Sequence, residues 1–224
     1  MYQSGNVKTT FVCKGRFLMS TKDNSNKRFW QMVAKLYTTI IEKRNKSIYN
    51  ELCNEIGKRL INNMQVLELA CGTGQLTFSL SEKVHTWEAT DFSDKMIAEA
   101  IKRNKSHNIN FAVQDATDLQ YAANKFDVVV IANALHIMPR PEVAFAEIKR
   151  VLKQDGLMIA PTFVYDGQVN KLMVGLFEKV GFRTFHKWTS RGYREFIENN
   201  GFKVEDMKTI NGNLLPECLL FCKP

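Results

Sequence analysis

Long apolar runs are missing from the 224-residue chain. No stretch approaches the roughly 18 apolar residues that a membrane-spanning helix needs, and residues 1–18 lack the apolar centre of a secretory signal. Cysteine is scarce and unpatterned. The five, Cys13, Cys53, Cys71, Cys218 and Cys222, are odd in number and never spaced C-x-x-C, so neither a disulfide framework nor a cysteine zinc site follows. A reducing cytoplasm is the expected home. No Pro/Gly/Ser-rich linker, internal repeat or low-complexity tract divides the chain, and its 45% hydrophobic content suits one globular core.

Acidic residues are short in one region. Residues 1–61 hold 12 of the 31 Lys/Arg but only 4 of the 23 Asp/Glu, so the whole +8 excess belongs to that segment and the remainder is balanced. A basic arm recruits nucleic acid, an anionic membrane surface or an acidic substrate, or simply solubilises. The solubilising reading is the plainer one, so nucleic acid is not expected as a partner, while peripheral membrane contact stays open. Residues 1–28 read as a flexible basic segment, within which Met19 is an alternative start. From Phe29 to Ile41 and from Ile48 to Leu60 apolar residues recur at helical spacing, which predicts two helices.

What the chain does have is VLELACGTG, Val66 to Gly74, a buried strand running into a glycine turn ahead of a helix that begins at Gln75. Val66, Leu67 and Leu69 are apolar as a strand covered on both faces requires, and Glu68 is the single charge among them. Such a charge costs stability unless something uses it. Gly72 and Gly74 clear side chains from a sharp turn or from the approach of a nucleotide-like ligand. A dinucleotide fingerprint would need a third glycine where Thr77 stands, which argues against a nicotinamide-dependent oxidoreductase.

Three further strand ends fall in order. A strand from near His85 closes at Asp91, 23 positions after Glu68, close to the offset at which an acid after the second strand grips ribose hydroxyls. Ile109–Gln114 ends at Asp115-Ala116, and Phe126–Ile131 delivers Asn133-Ala134-Leu135-His136. In an open α/β sheet the ligand crevice lies beyond these carboxyl ends. Alternating strands and helices from Val66 to Val164 predict a parallel sheet, with Pro141–Leu152 helical, Leu157–Val164 as the fifth strand, and Trp188–Asn199 as a helix stopped at Asn200-Gly201. Asn211-Gly212 reads as a turn between two last strands, and Val169 to Val180 as an apolar helical stripe belonging to the core.

The acid-x-A-C-G-T-G motif followed by D-F-S-D-K-M resembles the Rossmann-like, S-adenosylmethionine (SAM) dependent methyltransferases, in the ubiquinone/menaquinone C-methyltransferase-like branch, over about Phe29 to Phe221. Ala70 stands where many members carry glycine. The resemblance implies an α/β fold with a mostly parallel seven-stranded sheet, an antiparallel last strand and helices on both faces. It implies a single domain over 29–224, divided into a helical lid (29–62), a SAM-binding core (65–164) and C-terminal helices with a hairpin (165–224). The cofactor would be SAM, released as S-adenosylhomocysteine (SAH). Asp91 would hold the ribose, Phe92 and Met96 flank the adenine, and Asp115 with Ala116 meet the adenine amine. Glu68, Ala70, Cys71, Gly72, Gly74 and Asn133 would line the rest, Cys71 as a small packing residue, and Tyr37 would reach the methionine end.

The implied reaction is methyl transfer to a small acceptor at carbon, oxygen or sulfur. A base matters only for a protonated acceptor, and His136 is the candidate by position and intrinsic pKa. The [D/N]-P-P-[F/Y] clamp of nucleobase-modifying relatives is replaced by Asn133-Ala134-Leu135-His136, and Asn133 has no neighbouring Asp for a metal. Nine aromatics between Phe163 and Phe202 favour a hydrophobic or aromatic acceptor. A SAM-binding sensor or partner protein without turnover is the alternative.

Overall fold

Val66, Leu67 and Leu69 of β1 (Gln65–Leu69) are at most 1% exposed, which is possible only for a strand flanked by other strands and covered above and below. In the computed structural model, which describes residues 30–32, 47–166, 184–212 and 215–224, β1 lies near the middle of a seven-stranded sheet. The other strands are β2 (Thr86–Asp91), β3 (Ile109–Val113), β4 (Phe126–Ile131), β5 (Leu152–Phe163), β6 (Lys203–Ile210) and β7 (Glu217–Lys223). Their order is β3-β2-β1-β4-β5-β7-β6. β1 pairs in parallel with both β2 and β4, so the strand order reverses at β1 and opens a crevice there. β7 is antiparallel to both of its neighbours.

Helices cover both faces because their apolar stripes have a sheet face to meet. On one face Ile48, Leu52 and Ile56 of α1 (residues 47–57) pack with Leu76 and Leu80 of α2 (Gln75–Leu80) and Ile97 of α3 (Asp94–Arg103) over Val66, Val128 and Val130. On the other, Phe145, Ile148 and Val151 of α4 (Pro141–Val151) join Tyr193 and Ile197 of α5 (Ser190–Asn199) over Leu67, Val129 and Ile131. Local chemistry sets the starts. Ser93 caps α3 by accepting from the Met96 N–H at 3.3 Å, Thr189 caps α5 through the Gly192 N–H at 3.1 Å, and Pro141 opens α4 where no N–H partner is needed.

Several boundaries differ from the sequence reading. α5 starts at Ser190 rather than Trp188, because Thr189 caps it and Trp188 stacks on His186 and Phe196 instead. β5 reaches back to Leu152, ending α4 at Val151; a register shift between Phe126 and Val128 absorbs the polar Lys153–Asp155, which had masked the strand's first half. Asn211-Gly212 does lie between the last two strands, in the connection from Ile210 at the end of β6 to Glu217 at the start of β7. Tyr37, the apolar residues 33–41 and the Val169–Val180 stripe lie outside the described residues. Among the described residues no helix is long and apolar enough to cross a membrane.

Candidate active site

The turn after β1 is held in an unusual backbone shape. Ala70, Gly72 and Gly74 all adopt positive φ, at 55°, 58° and 89°. A β-carbon on Gly74 would stand 2.6 Å from the Phe78 ring, so packing within the turn dictates that glycine. At Gly72 the nearest atom is Gln75 Oε1 at 3.7 Å, and the open space belongs to the cleft. Across from it Asp91 accepts from the Gly72 N–H at 3.0 Å with one oxygen and from the Ser93 N–H at 2.8 Å with the other. One carboxylate thereby locks the glycine turn to the start of α3.

Glu68 explains its own presence in β1. Fully buried, its Oε2 accepts from the Thr77 hydroxyl at 2.5 Å and the Trp87 indole N–H at 2.8 Å. Burial pushes its carboxyl up to about 7; the two donors pull the other way and nearby Asp91 adds to the rise. Burial likewise raises the Cys71 thiol well above its usual range, which keeps it unreactive and suits a packing role.

These groups meet in one cleft at the carboxyl ends of β1, β2 and β4. Of the residues expected from sequence, Glu68, Ala70, Cys71, Gly72, Asp91, Phe92, Met96 and Asn133 line it. Gly74 and Ala116 do not, and neither does Asp115, whose Oδ1 is taken by the Thr117 N–H and hydroxyl at 2.9 and 2.7 Å. Tyr37 is outside the described residues. His136 is also absent from the lining. It is 4% exposed, its Nδ1 lies 2.9 Å from the Thr162 hydroxyl and its ring meets the Phe163 ring edge-on. Burial, with His186 nearby, drives its pKa down to about 4, so the ring is neutral at pH 7.

Sequence reasoning missed Trp30, Tyr49, Gln75, Leu76, Ala132, Ala134 and Ile137, which complete the lining. Gln75 had a signal, since it directly follows the glycine turn; Trp30 and Tyr49 looked like any other apolar helix residues. Gln31 donates to Asp94 at 2.9 Å and ties the described turn containing Trp30 to the start of α3. Two polar atoms in the cleft, Gln75 Nε2 and Asn133 Oδ1, are buried without a hydrogen-bond partner among the described residues. Among the described residues no His/Cys/Asp/Glu cluster could hold a metal.

A family profile described as a methyltransferase domain matches residues 66–156, the span from β1 into β5. A demethylmenaquinone methyltransferase of Staphylococcus aureus is 31% identical over 184 residues, 75% of this chain and 73% of that protein. The chain belongs to the class I SAM-dependent methyltransferases. Its place is in their ubiquinone/menaquinone C-methyltransferase-like branch, and the ubiquinone/menaquinone biosynthesis C-methyltransferase UbiE of Sinorhizobium fredii is 36% identical over 109 residues, 45% of this chain and 42% of that one. The methyltransferase also superposes on DhpI, solved in complex with SAH, with a TM-score of 0.71 at 21% identity, over 92% of this chain and 98% of that one. The expected fold and cofactor class are therefore those of the protein: a SAM-dependent methyltransferase with a mostly parallel seven-stranded sheet.

Proposed function

We propose that the cleft at the ends of β1, β2 and β4 binds SAM and that the methyl acceptor is a small hydrophobic or aromatic molecule. The observation that carries this reading is the composition of the lining. Polar groups are few, Glu68, Gln75, Asp91 and Asn133, and two of them keep buried atoms unpartnered, while Trp30, Tyr49, Leu76, Phe92, Met96 and Ile137 present apolar surface. The residues fit the cofactor. Asp91 holds the ribose hydroxyls, and Phe92 and Met96 flank the adenine. Asp115, whose two bonds within its own turn both use Oδ1, offers Oδ2 to the adenine amine. Gly72 lets backbone approach the cofactor without a side chain between.

When bound, SAM supplies an electrophilic sulfonium methyl that the acceptor takes by in-line displacement. The chain's part is to orient and to exclude water. Nearby Asp91 favours a cationic ligand over a neutral one. The names of the relatives make a demethylated quinol ring the first acceptor to test, and neither the apolar lining nor the Asn133-Ala134-Leu135-His136 segment suggests a nucleobase.

The test combines calorimetry with SAM, SAH and NAD and an acceptor screen that reads SAH release over reduced quinones, phenols and thiols. We expect SAM and SAH to bind, NAD not to, and turnover with at least one aromatic acceptor. Saturable NAD binding that displaces SAM would remove the cleft assignment. Tight SAM binding with no product from any acceptor would favour a sensor or partner protein.

A further inference from the structure

Glu217 is a buried acid outside the cofactor machinery. It opens β7, paired with Phe163 of β5 on one side and Ile210 of β6 on the other. Because β7 runs against β5, its first residue stands at the same edge of the sheet where β1, β2 and β4 end. The residue is 1% exposed. Its Oε1 accepts from the Asn133 Nδ2 at 3.2 Å, and its Oε2 is buried with no hydrogen-bond partner among the described residues. Burial pushes the carboxyl up to about 7, only partly offset by the Asn133 bond.

Asn133 carries a second cost at the same spot. It is a non-glycine residue at φ 52°, pinned there by its N–H to the Pro161 carbonyl at 2.9 Å, and its Oδ1 is buried and unpartnered. One strained residue and two orphan oxygens side by side are costly, and such costs gather where a ligand completes the bonding. The Nδ2 of the amide is taken by Glu217, so the amide oxygen is the group left for that ligand, and Asn133 lines the cleft. Although the family resemblance sets Asn133 along the cofactor, its position is apart from the proposed ribose and adenine contacts. Gly72, Asp91 and Phe92 belong to the β1/β2 side, whereas Asn133 follows β4 and Glu217 lies two strands further out, across β5.

We propose that Glu217 is a positioning residue for the methyl acceptor: by taking the Asn133 amide N–H it turns the amide oxygen into the cleft, where that oxygen accepts a hydrogen bond from a hydroxyl or N–H of the acceptor. This rests on the reading that a small aromatic acceptor enters beside Asn133. The pair selects acceptors that carry a donor next to the methylated position, because an acceptor without one leaves a buried amide oxygen unsatisfied. Glu217 itself does not touch the reacting atoms.

The test uses the full chain with SAM, naphthohydroquinone kept reduced as the acceptor probe, and naphthohydroquinone dimethyl ether as a competing ligand without a donor. Glu217→Met keeps the volume and removes the hydrogen bond. We expect it to fold and to melt at or above the parent, to bind SAM within about twofold of it, and to raise KM for naphthohydroquinone on the order of tenfold, with kcat less affected. Glu217→Gln still accepts from Asn133 and should restore KM. Inhibition by the dimethyl ether should be equal in parent and Glu217→Met. Asn133→Gly, which relieves the left-handed backbone as it deletes the amide, should reproduce the KM loss, and the double variant should lose no more than either single one. An unchanged KM in Glu217→Met, a Gln variant as impaired as the Met variant, or a parallel loss of dimethyl ether inhibition overturns the proposal while leaving the acceptor class intact. A parent that binds SAM yet releases no SAH with naphthohydroquinone overturns the aromatic-acceptor reading, and this proposal with it.

Discussion

Ala70 at φ 55° holds a β-carbon against the following carbonyl, a conformation that costs an ordinary residue roughly 1–2 kcal/mol and glycine almost nothing. The turn accepts this because the Cys71 N–H is anchored to the Thr90 carbonyl at 2.9 Å and the Gly72 N–H to Asp91. We therefore expect Ala70→Gly to stabilise the protein by about 1 kcal/mol, read as a shift in denaturant midpoint, and a destabilised variant would show that the side chain packs better than it strains. Asp91→Ala removes an acceptor shared by two backbone N–H groups and the proposed ribose site. Hydrogen bonds to a charged group contribute about 1.5–3 kcal/mol, so SAM affinity by calorimetry should fall on the order of tenfold to a hundredfold. Parent-like affinity would move the ribose elsewhere. His136 behaves differently, for a ring whose pKa is driven to about 4 is a weak proton acceptor. His136→Ala should leave SAM affinity nearly unchanged and slow methyl transfer by less than about tenfold, whereas removal of a general base costs about a hundredfold or more.

At the scale of elements, the strand-turn-helix from β1 to α2 was legible because each requirement leaves a mark in one residue type: apolar residues for a strand covered on both faces, glycine for positive φ. The two glycines nevertheless do different things. Gly74→Ala would drive a β-carbon to 2.6 Å from the Phe78 ring, while Gly72→Ala meets nothing closer than 3.7 Å. Melting temperature should thus fall more for Gly74→Ala, and SAM affinity more for Gly72→Ala; the reverse order would exchange their assigned roles. Asn133 was readable for a similar reason, since the apolar end of β4 makes the first polar residue after it conspicuous, whereas Asp91 closes the mixed strand TWEATD and was legible through its offset from Glu68. The first half of β5 was not, because Lys153-Gln154-Asp155 sits where the register shifts and carries no strand pattern. Glu217 carried the same signal as Glu68, one charge within the apolar run ECLLFC, yet no glycine turn follows to give it meaning. Only the antiparallel placement of β7 brings it beside Asn133. Trp30 and Tyr49 were invisible as cleft residues, since an aromatic that lines a cleft and one that fills a core look alike along a helix.

Charge is where the whole molecule departs from its parts. The excess of basic residues lies in residues 1–61, mostly outside the described structure, and the folded core titrates through groups that are neutral because they are buried. Glu68 and Glu217 are both pushed up to about 7 from an ordinary 4.5, and His136 down to about 4 from 6.5. Between pH 4.5 and 7 each raised carboxyl binds more proton folded than unfolded, so its contribution to stability is complete below about 4.5 and is lost as pH rises through 7. His136 has the opposite sign. Its unfolded form binds the extra proton between pH 4 and 6.5, so its contribution is complete above about 6.5 and is lost as pH falls toward 4. Two carboxyls oppose one histidine over the shared interval, and above pH 6.5 only the carboxyls still act. From these groups stability should decline from pH 5 to pH 8, a fall that a surface-charge account of a protein with pI near 9.2 does not predict, since net charge shrinks over that range. Thermal melts of the parent and Glu217→Gln across this range decide it. The glutamine cannot ionise, so its melting temperature should gain on the parent steadily as pH rises through 7 and match it most closely near pH 5; a difference independent of pH would mean that Glu217 ionises freely in the fold and that its carboxyl is not held neutral by burial.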